Sequence, residues 1–289
     1  MVSHRFFSFS LAIGLLGVSL VAPAPVSSAE LKEIEQRGQL IVAVKDNLRP
    51  LGFRDATGNL QGLEIDIAKR LAEELLGKPD AVVLQPVKNI DRLNVVLEGK
   101  VDLTIARVTA TASRSRLVNL SRPYYLDGTG LVTKDTSITR LSEVATKKIA
   151  VINGSSTIAV VKYALPASKL VGVDSYEEAR SLLEKGDANA FAADNSVLTG
   201  WVQDYPQYRL LPVRLSGEAL CIVMPKGLKY TQLQLRVNEA IARWQSSGWL
   251  SERAAAWGLP YEKIETRIVS RDHGKYSSNY LSVRVASAA

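Results

Sequence analysis

The sequence predicts an α/β protein built from two sheet-and-helix units, and three observations carry that prediction. Short β-branched runs alternate with segments whose apolar residues recur at helical spacing, the pattern of strands linked through helices into covered, mostly parallel sheets. The alternation starts afresh beyond residue 130, which suggests two sheets rather than one long one. The chain of 289 residues, about 260 once an N-terminal leader is removed, suffices for two packed lobes.

Leu40-Ile-Val-Ala-Val44 is a β-branched run suited to a buried strand. From Gly62 to Leu76, Ile65, Ala68, Leu71, Ala72 and Leu75 fall on one helical face, and Gly77 closes the helix. A strand over Ala81–Leu84, a helix over Asp91–Glu98 and a strand over Asp102–Ala106 follow. The second unit reads as a strand at Ile149–Ile152, a helix from Ser156, a strand at Lys169–Val173, a helix at Tyr176–Lys185 and a strand at Ala190–Ala193. Turn residues in Pro123-Tyr-Tyr-Leu-Asp-Gly128 separate the units, and Leu215-Ser-Gly-Glu218 does the same on the return. A strand at Leu220–Met224, an amphipathic helix carrying Leu233, Val237, Ile241 and Trp244, and a short helix between Trp249 and Trp257 complete the pattern. Beyond Gly258 the chain turns polar, a tail expected to be mobile, with a short strand suggested at Ile268 and Val269.

Arg5, an apolar run from Phe6 to Val21 and small residues at Ser27 and Ala29 form the three parts of a secretory signal, with cleavage expected after Ala29. Gly14, Gly17 and the prolines that end the run argue against a membrane anchor. No cysteine lies near the cleavage site, so a lipid anchor is not supported, and a soluble periplasmic protein is expected. Cys221 is the single cysteine. It excludes an internal disulfide and, within Ala219-Leu-Cys-Ile-Val-Met224, reads as a core thiol rather than a nucleophile. The formal charge of +7 comes from basic residues that do not cluster with aromatics, so nucleic acid is a poor partner. The two histidines, His4 and His273, lie in the leader and the tail. With no metal-ligand spacing either, no cofactor is expected.

Three constellations suit a zwitterion. Thr109-Ala-Thr111-Ala-Ser-Arg114 follows a strand end, where hydroxyls, backbone N–H groups and a planar guanidinium hold a carboxylate. Asn153-Gly154-Ser155-Ser156-Thr157 joins a strand to a helix, and free N–H groups at a helix start favour an anion; the alternative is an ordinary N-cap by Ser155 or Ser156. Asp194 ends an apolar strand and suits an ammonium ion, or else caps the helix through Val197 and Leu198.

Several stretches together resemble the polar-amino-acid-binding proteins of bacterial ABC importers, the family 3 extracellular solute-binding proteins. They are Gly52-Phe-Arg-Asp-Ala-Thr-Gly-Asn-Leu-Gln-Gly-Leu-Glu-Ile-Asp-Ile-Ala68, Leu97-Glu-Gly-Lys-Val-Asp-Leu103, the Thr109–Arg114 stretch, Asn119-Leu-Ser-Arg-Pro-Tyr-Tyr125, Ala190-Phe-Ala-Ala-Asp194 and Trp257-Gly258. The resemblance covers Leu31 to Gly258. It implies a two-lobed, type II periplasmic binding fold on a two-strand hinge near Tyr124–Gly128 and Ser216–Leu220. The expected division is a signal peptide over 1–29, a first lobe over 30–124, a second over 125–218, a return to the first over 219–259, and the tail over 260–289. It further implies a monomer that delivers a free amino acid to ABC permease subunits. By the same resemblance Arg114 clamps the ligand α-carboxylate and Ser156, beside Ser155, donates to it from the other lobe. Thr109 touches both ends of the ligand backbone, Asp194 takes the α-ammonium, and the Arg107 carbonyl is another ammonium contact.

Departures from the family pattern bear on the ligand. Leu48 stands where many relatives place an aromatic ring, Lys45 where binders of basic or amide ligands often carry aspartate, and Arg107 where a small residue is usual. Asn89 and Arg92 begin a helix, and Arg92 matches a family arginine. With Lys45, Arg92 and Arg107 facing the cleft, glutamate or aspartate is the expected ligand, followed by neutral polar amino acids. The alternative is that these long side chains reach solvent. Other readings are an exported dehydratase-like enzyme on the same scaffold, or a receptor presenting its ligand to a sensor.

Overall fold

A computed structural model describes residues 29–262, 265–268 and 281–284. Residues 1–28, which hold most of the expected leader, lie outside the described residues.

The chain begins with α1 (Leu31–Arg37), whose start is fixed by Glu33 accepting the Glu30 N–H at 2.8 Å. Strand β1 (Leu40–Val44), short β2 (Asn47–Leu48), β3 (Gly52–Arg54) and β4 (Leu60–Gln61) lead into α2 (Leu63–Leu76). Gly62, at φ 125°, is the one residue type that fits before α2: a Cβ there would stand 2.3 Å from the Leu51 carbonyl oxygen. Then come β5 (Val82–Pro86), α3 (Asn94–Leu97), β6 (Leu103–Ile105), α4 (Ala112–Leu117), β7 (Asn119–Asp127) and β8 (Thr129–Thr133). The second unit continues with β9 (Lys148–Ile152), α5 (Thr157–Ala164), β10 (Lys169–Val173), α6 (Tyr176–Lys185), β11 (Ala190–Asp194), α7 (Asn195–Asp204) and β12 (Arg209–Leu210). Strand β13 (Glu218–Met224) returns to the first sheet, followed by α8 (Thr231–Ser247), α9 (Trp249–Ala256), β14 (Glu265–Ile268) and β15 (Leu281–Arg284).

Two five-stranded sheets result, in the orders β5-β1-β6-β13-β7 and β10-β9-β11-β8-β12. Three neighbouring strands in each run parallel, and the remaining pairings are antiparallel. The uninterrupted apolar runs in the sequence follow from burial on both faces. In the second sheet Ala150 and Phe191 point to one apolar layer, while Ile149, Val151, Ala190 and Ala192 point to the other. In the first, Val42 and Val44 join Leu71, Ile222 and Trp244, and Ala43 turns to Val96 and Val223. The two-lobed α/β architecture expected from the sequence is therefore present. The chain crosses between lobes on β7 and β13, paired through Glu218 with Asp127, Ala219 with Leu126 and Leu220 with Tyr125. Cys221 is buried, and burial pushes its thiol up to about 12.

Two local expectations need correction. The residues around Pro123 form no turn: they lie within β7, an edge strand, where proline's missing N–H breaks no ladder bond. The helix expected over Asp91–Glu98 shrinks to Asn94–Leu97. Arg92 turns its Nε back onto the Asn89 carbonyl at 2.9 Å, and residues 91–93 form turns instead. In the tail, β14 and β15 pair antiparallel, with Ile268 opposite Leu281; Val269 lies outside the described residues. No described helix is long and apolar enough to cross a membrane.

Candidate functional site

The carboxyl ends of the central parallel strands meet across the lobes, the usual place for a ligand in open α/β sheets. From the first lobe come Lys45 after β1 and Arg107 after β6; from the second come the 153–157 turn after β9 and Asp194 at the end of β11. Arg107 and Asp194 form an ion pair that joins the two.

The first-lobe face is organised around Glu64, a carboxylate with no exposed surface. It accepts the Tyr124 hydroxyl at 2.5 Å and the Arg107 N–H at 2.6 Å. Burial raises its pKa, and these two donors only partly offset that. Arg107 is the single non-glycine with positive φ among the described residues, at 48°. Glu64 holds its N–H while Arg92 Nη1 donates to its carbonyl at 2.6 Å and to that of Ala106 at 3.0 Å. Burial, then the nearby charges of Arg107 and Arg114, lower Arg92 from 12.5 to about 10. Lys45 is buried and gives its Nζ to the Val87 carbonyl at 2.9 Å. Its pKa is lowered by burial and then by Arg92. Arg114 Nη1 donates to the Thr109 carbonyl at 2.7 Å, and Thr109 Oγ1 reaches Glu218 Oε2 at 3.2 Å. Thr111 caps α4 by accepting the Arg114 N–H at 3.3 Å. Thr109 also bridges to Leu220, which ties this loop to the crossing strand β13.

The second-lobe face is held more loosely. Neither serine at the start of α5 serves as the ordinary cap: Ser156 occupies the N-cap position without a side-chain cap bond. The buried Ser155 Oγ has no hydrogen-bond partner among the described residues. Gly154, at φ 71°, makes the turn before them. Asp194 likewise stands at the N-cap of α7 and makes no side-chain cap bond. That role falls to Asp127, at the end of β7, which accepts the Ser196 N–H at 3.1 Å and the Ser196 hydroxyl. Asp194 is thereby left for Arg107.

Lys45, Arg92, Arg107, Arg114, Thr109 and Asp194 are thus brought together by direct bonds or mutual electrostatic influence. Among the described residues neither Ser155 nor Ser156 bonds to this group. Leu48 lines a neighbouring cavity of about 460 Å³ with Phe53 from the first lobe and Tyr176, Val197, Trp201 and Tyr205 from the second. The lobes touch beside it. A Cβ on Gly200 would stand 2.3 Å from the Arg49 carbonyl oxygen, Arg49 pairs with Asp204 at 3.3 Å, and Gln203 donates to the Trp257 carbonyl at 2.9 Å. Sequence reasoning missed Glu64 and Asp127. Glu64 lay within the quoted Gly-Leu-Glu-Ile-Asp stretch, and its one signal was an acid flanked by apolar residues in a helix's first turn.

Two α/β lobes joined by paired strands, with charged groups at the facing strand ends, define a type II periplasmic solute-binding architecture. The chain belongs to the bacterial extracellular solute-binding proteins, family 3, whose model matches residues 40–260. It is similar to a glutamine-binding protein of Geobacillus stearothermophilus, 32% identical over 203 residues that cover 69% of this chain and 77% of the relative. A glutamate-binding protein of Corynebacterium glutamicum is 27% identical over 217 residues, 72% of this chain and 73% of the relative. Among solved structures, an ancestral cationic amino acid solute-binding protein matches with a TM-score of 0.67 at 26% identity, covering 78% of this chain and 98% of its own. The chain is a solute-binding protein of the amino-acid ABC transporter class.

Proposed function

We propose that this protein captures L-glutamate or L-aspartate in the periplasm, as an exported monomer, and presents it to an ABC permease by closing its two lobes. The observation that carries the reading is the charge at the facing strand ends. Among the described residues Lys45, Arg92 and Arg114 have backbone carbonyls rather than carboxylates as bonding partners, and only Arg107 has an acidic one. Carbonyls satisfy hydrogen bonds but leave the net positive charge in place, so the site favours an anion. In this reading Arg114 takes the α-carboxylate, Thr109 and the α5 start with Ser155 and Ser156 supply further donors, and Asp194 takes the ammonium. Arg107, with Lys45 and Arg92 behind it, favours the side-chain carboxylate, and Leu48 borders the side-chain end. Burial of both charged ends is tolerable because each meets a fixed partner.

A second reading is a neutral amide ligand. Lys45 and Arg92 are drawn back onto the carbonyls of Val87, Ala106 and Arg107, which weakens their reach toward a ligand, and one relative is a glutamine-binding protein. A thermal-shift panel of the common amino acids separates the two. A ligand at about 1,000 times its dissociation constant stabilises by roughly 4 kcal/mol, on the order of 10 °C for a chain of this size. The largest shift is expected with glutamate or aspartate. A large shift with glutamine and none with either acid would refute the acidic ligand.

A further inference from the structure

We propose that Arg107 is a specificity-determining residue that competes with the ligand's ammonium for Asp194, so that an amino acid binds tightly only if it offers the displaced guanidinium a second carboxylate. This rests on the reading above in assigning the ammonium to Asp194. Arg107 holds a left-handed backbone conformation that residues other than glycine, asparagine and aspartate rarely adopt. Glu64 fixes its N–H and Arg92 its carbonyl, each at 2.6 Å. That two-sided grip sends the side chain across the lobe boundary to Asp194, with the guanidinium and carboxylate side chains 20% and 15% exposed. Asp194 is available because Asp127, not Asp194, caps α7.

The energetic consequence follows from the charges. Once displaced, the guanidinium still lies beside Arg92, whose own charge is already disfavoured by burial and by Arg107. Beyond the α-carboxylate assigned to Arg114, a glutamine offers no second negative group to receive it, whereas a glutamate does. The resident pair therefore acts as a filter: it lowers apparent affinity for every amino acid by the fraction of molecules in which Asp194 is occupied, and only acidic ligands recover the loss.

Isothermal titration calorimetry of the purified protein and of Arg107→Gly, with L-glutamine and L-glutamate, tests this. Glycine tolerates the left-handed backbone, so the loop is expected to keep its shape. Glutamine binding should tighten about tenfold or more in the variant, as expected if the pair is formed in about nine-tenths of molecules, while glutamate binding weakens. Glutamine affinity that is unchanged, weaker or undetectable in both proteins overturns the proposal. Should the glycine variant lose its thermal transition, Arg107→Gln, uncharged and of similar length, carries the same expectation. The preference of the unsubstituted protein for glutamate over glutamine is read separately. If it prefers glutamine and Arg107→Gly still tightens glutamine, the competition for Asp194 stands, while the carboxylate filter is overturned together with the acidic-ligand reading.

Discussion

The two faces that meet between the lobes are built in opposite ways. On the first-lobe side four charged groups are anchored within the lobe: Glu64 by Tyr124 and the Arg107 backbone, Arg92 by three carbonyls, Lys45 by one and Arg114 by one. On the second-lobe side the candidate groups are held by few bonds of their own. Ser156 makes no cap bond, the Ser155 hydroxyl is unbonded among the described residues, and Asp194 has its ion pair across the boundary. The difference is that the first-lobe cations are preorganised, while among the described residues the second-lobe groups have few bonds within their own lobe and only Asp194 has a partner across the boundary. Preorganised charges need little rearrangement on binding; unsatisfied donors gain most when a partner arrives.

The largest effects should come from the two charges assigned to the ends of the ligand. Arg114→Ala and Asp194→Ala are each expected to weaken binding of the cognate amino acid at least about 30-fold, since truncating one partner of a buried charged contact costs roughly 2–5 kcal/mol. The thermal transition without ligand should survive. Titration calorimetry checks the first point and differential scanning fluorimetry the second; wild-type affinity in a folded Arg114→Ala protein would break the assignment. A middle-sized effect probes why Asp194 is free. Asp127→Ala removes the acceptor for the start of α7 and should lower stability by about 1–2 kcal/mol, read from urea midpoints. An unchanged midpoint would mean that Asp194 takes over the cap and that the two faces differ less than their bonds suggest.

The smallest effect is a pH slope. Glu64 has a raised pKa in the folded protein because burial disfavours its charge. The folded state therefore keeps the proton to higher pH than the unfolded chain does. The resulting stabilisation is full below the ordinary glutamate value of 4.5 and is lost as pH rises through the folded value. Urea midpoints of wild type should accordingly decline relative to Glu64→Gln as pH rises above 4.5. A wild type that gains on the variant as pH rises would show Glu64 to be a stabilised carboxylate instead.

The sheets were legible because strands covered on both faces leave uninterrupted runs such as Leu40–Val44, and because Gly77 marks the end of α2 at the expected place. Pro123 misled because a proline at a sheet edge reads like a proline in a turn when the neighbouring strand, β13, is still about a hundred residues away in sequence. The same distance hid half of the site. Arg107, Arg114 and Asp194 announce themselves at strand ends, but Glu64 owes its role to Tyr124 and Arg107, and Asp127 to Ser196. Those contacts are made 43 to 69 residues away along the chain, and nothing local encodes them.

The placement of the tryptophans makes the lobe boundary visible to light. Trp244 and the half-buried Trp249 pack against each other in the first lobe, tilted by 51° with 5.3 Å between ring centres. Trp201 instead lines the cavity between the lobes, and the carbonyl of Trp257 receives Gln203 across the same boundary while its indole donates to Asp66 at 2.8 Å. Two of the chain's four indoles thus sit at the seam and two away from it, in the first lobe. Intrinsic emission carries its own internal reference, and a change in the contact between the lobes can be followed in unlabelled protein.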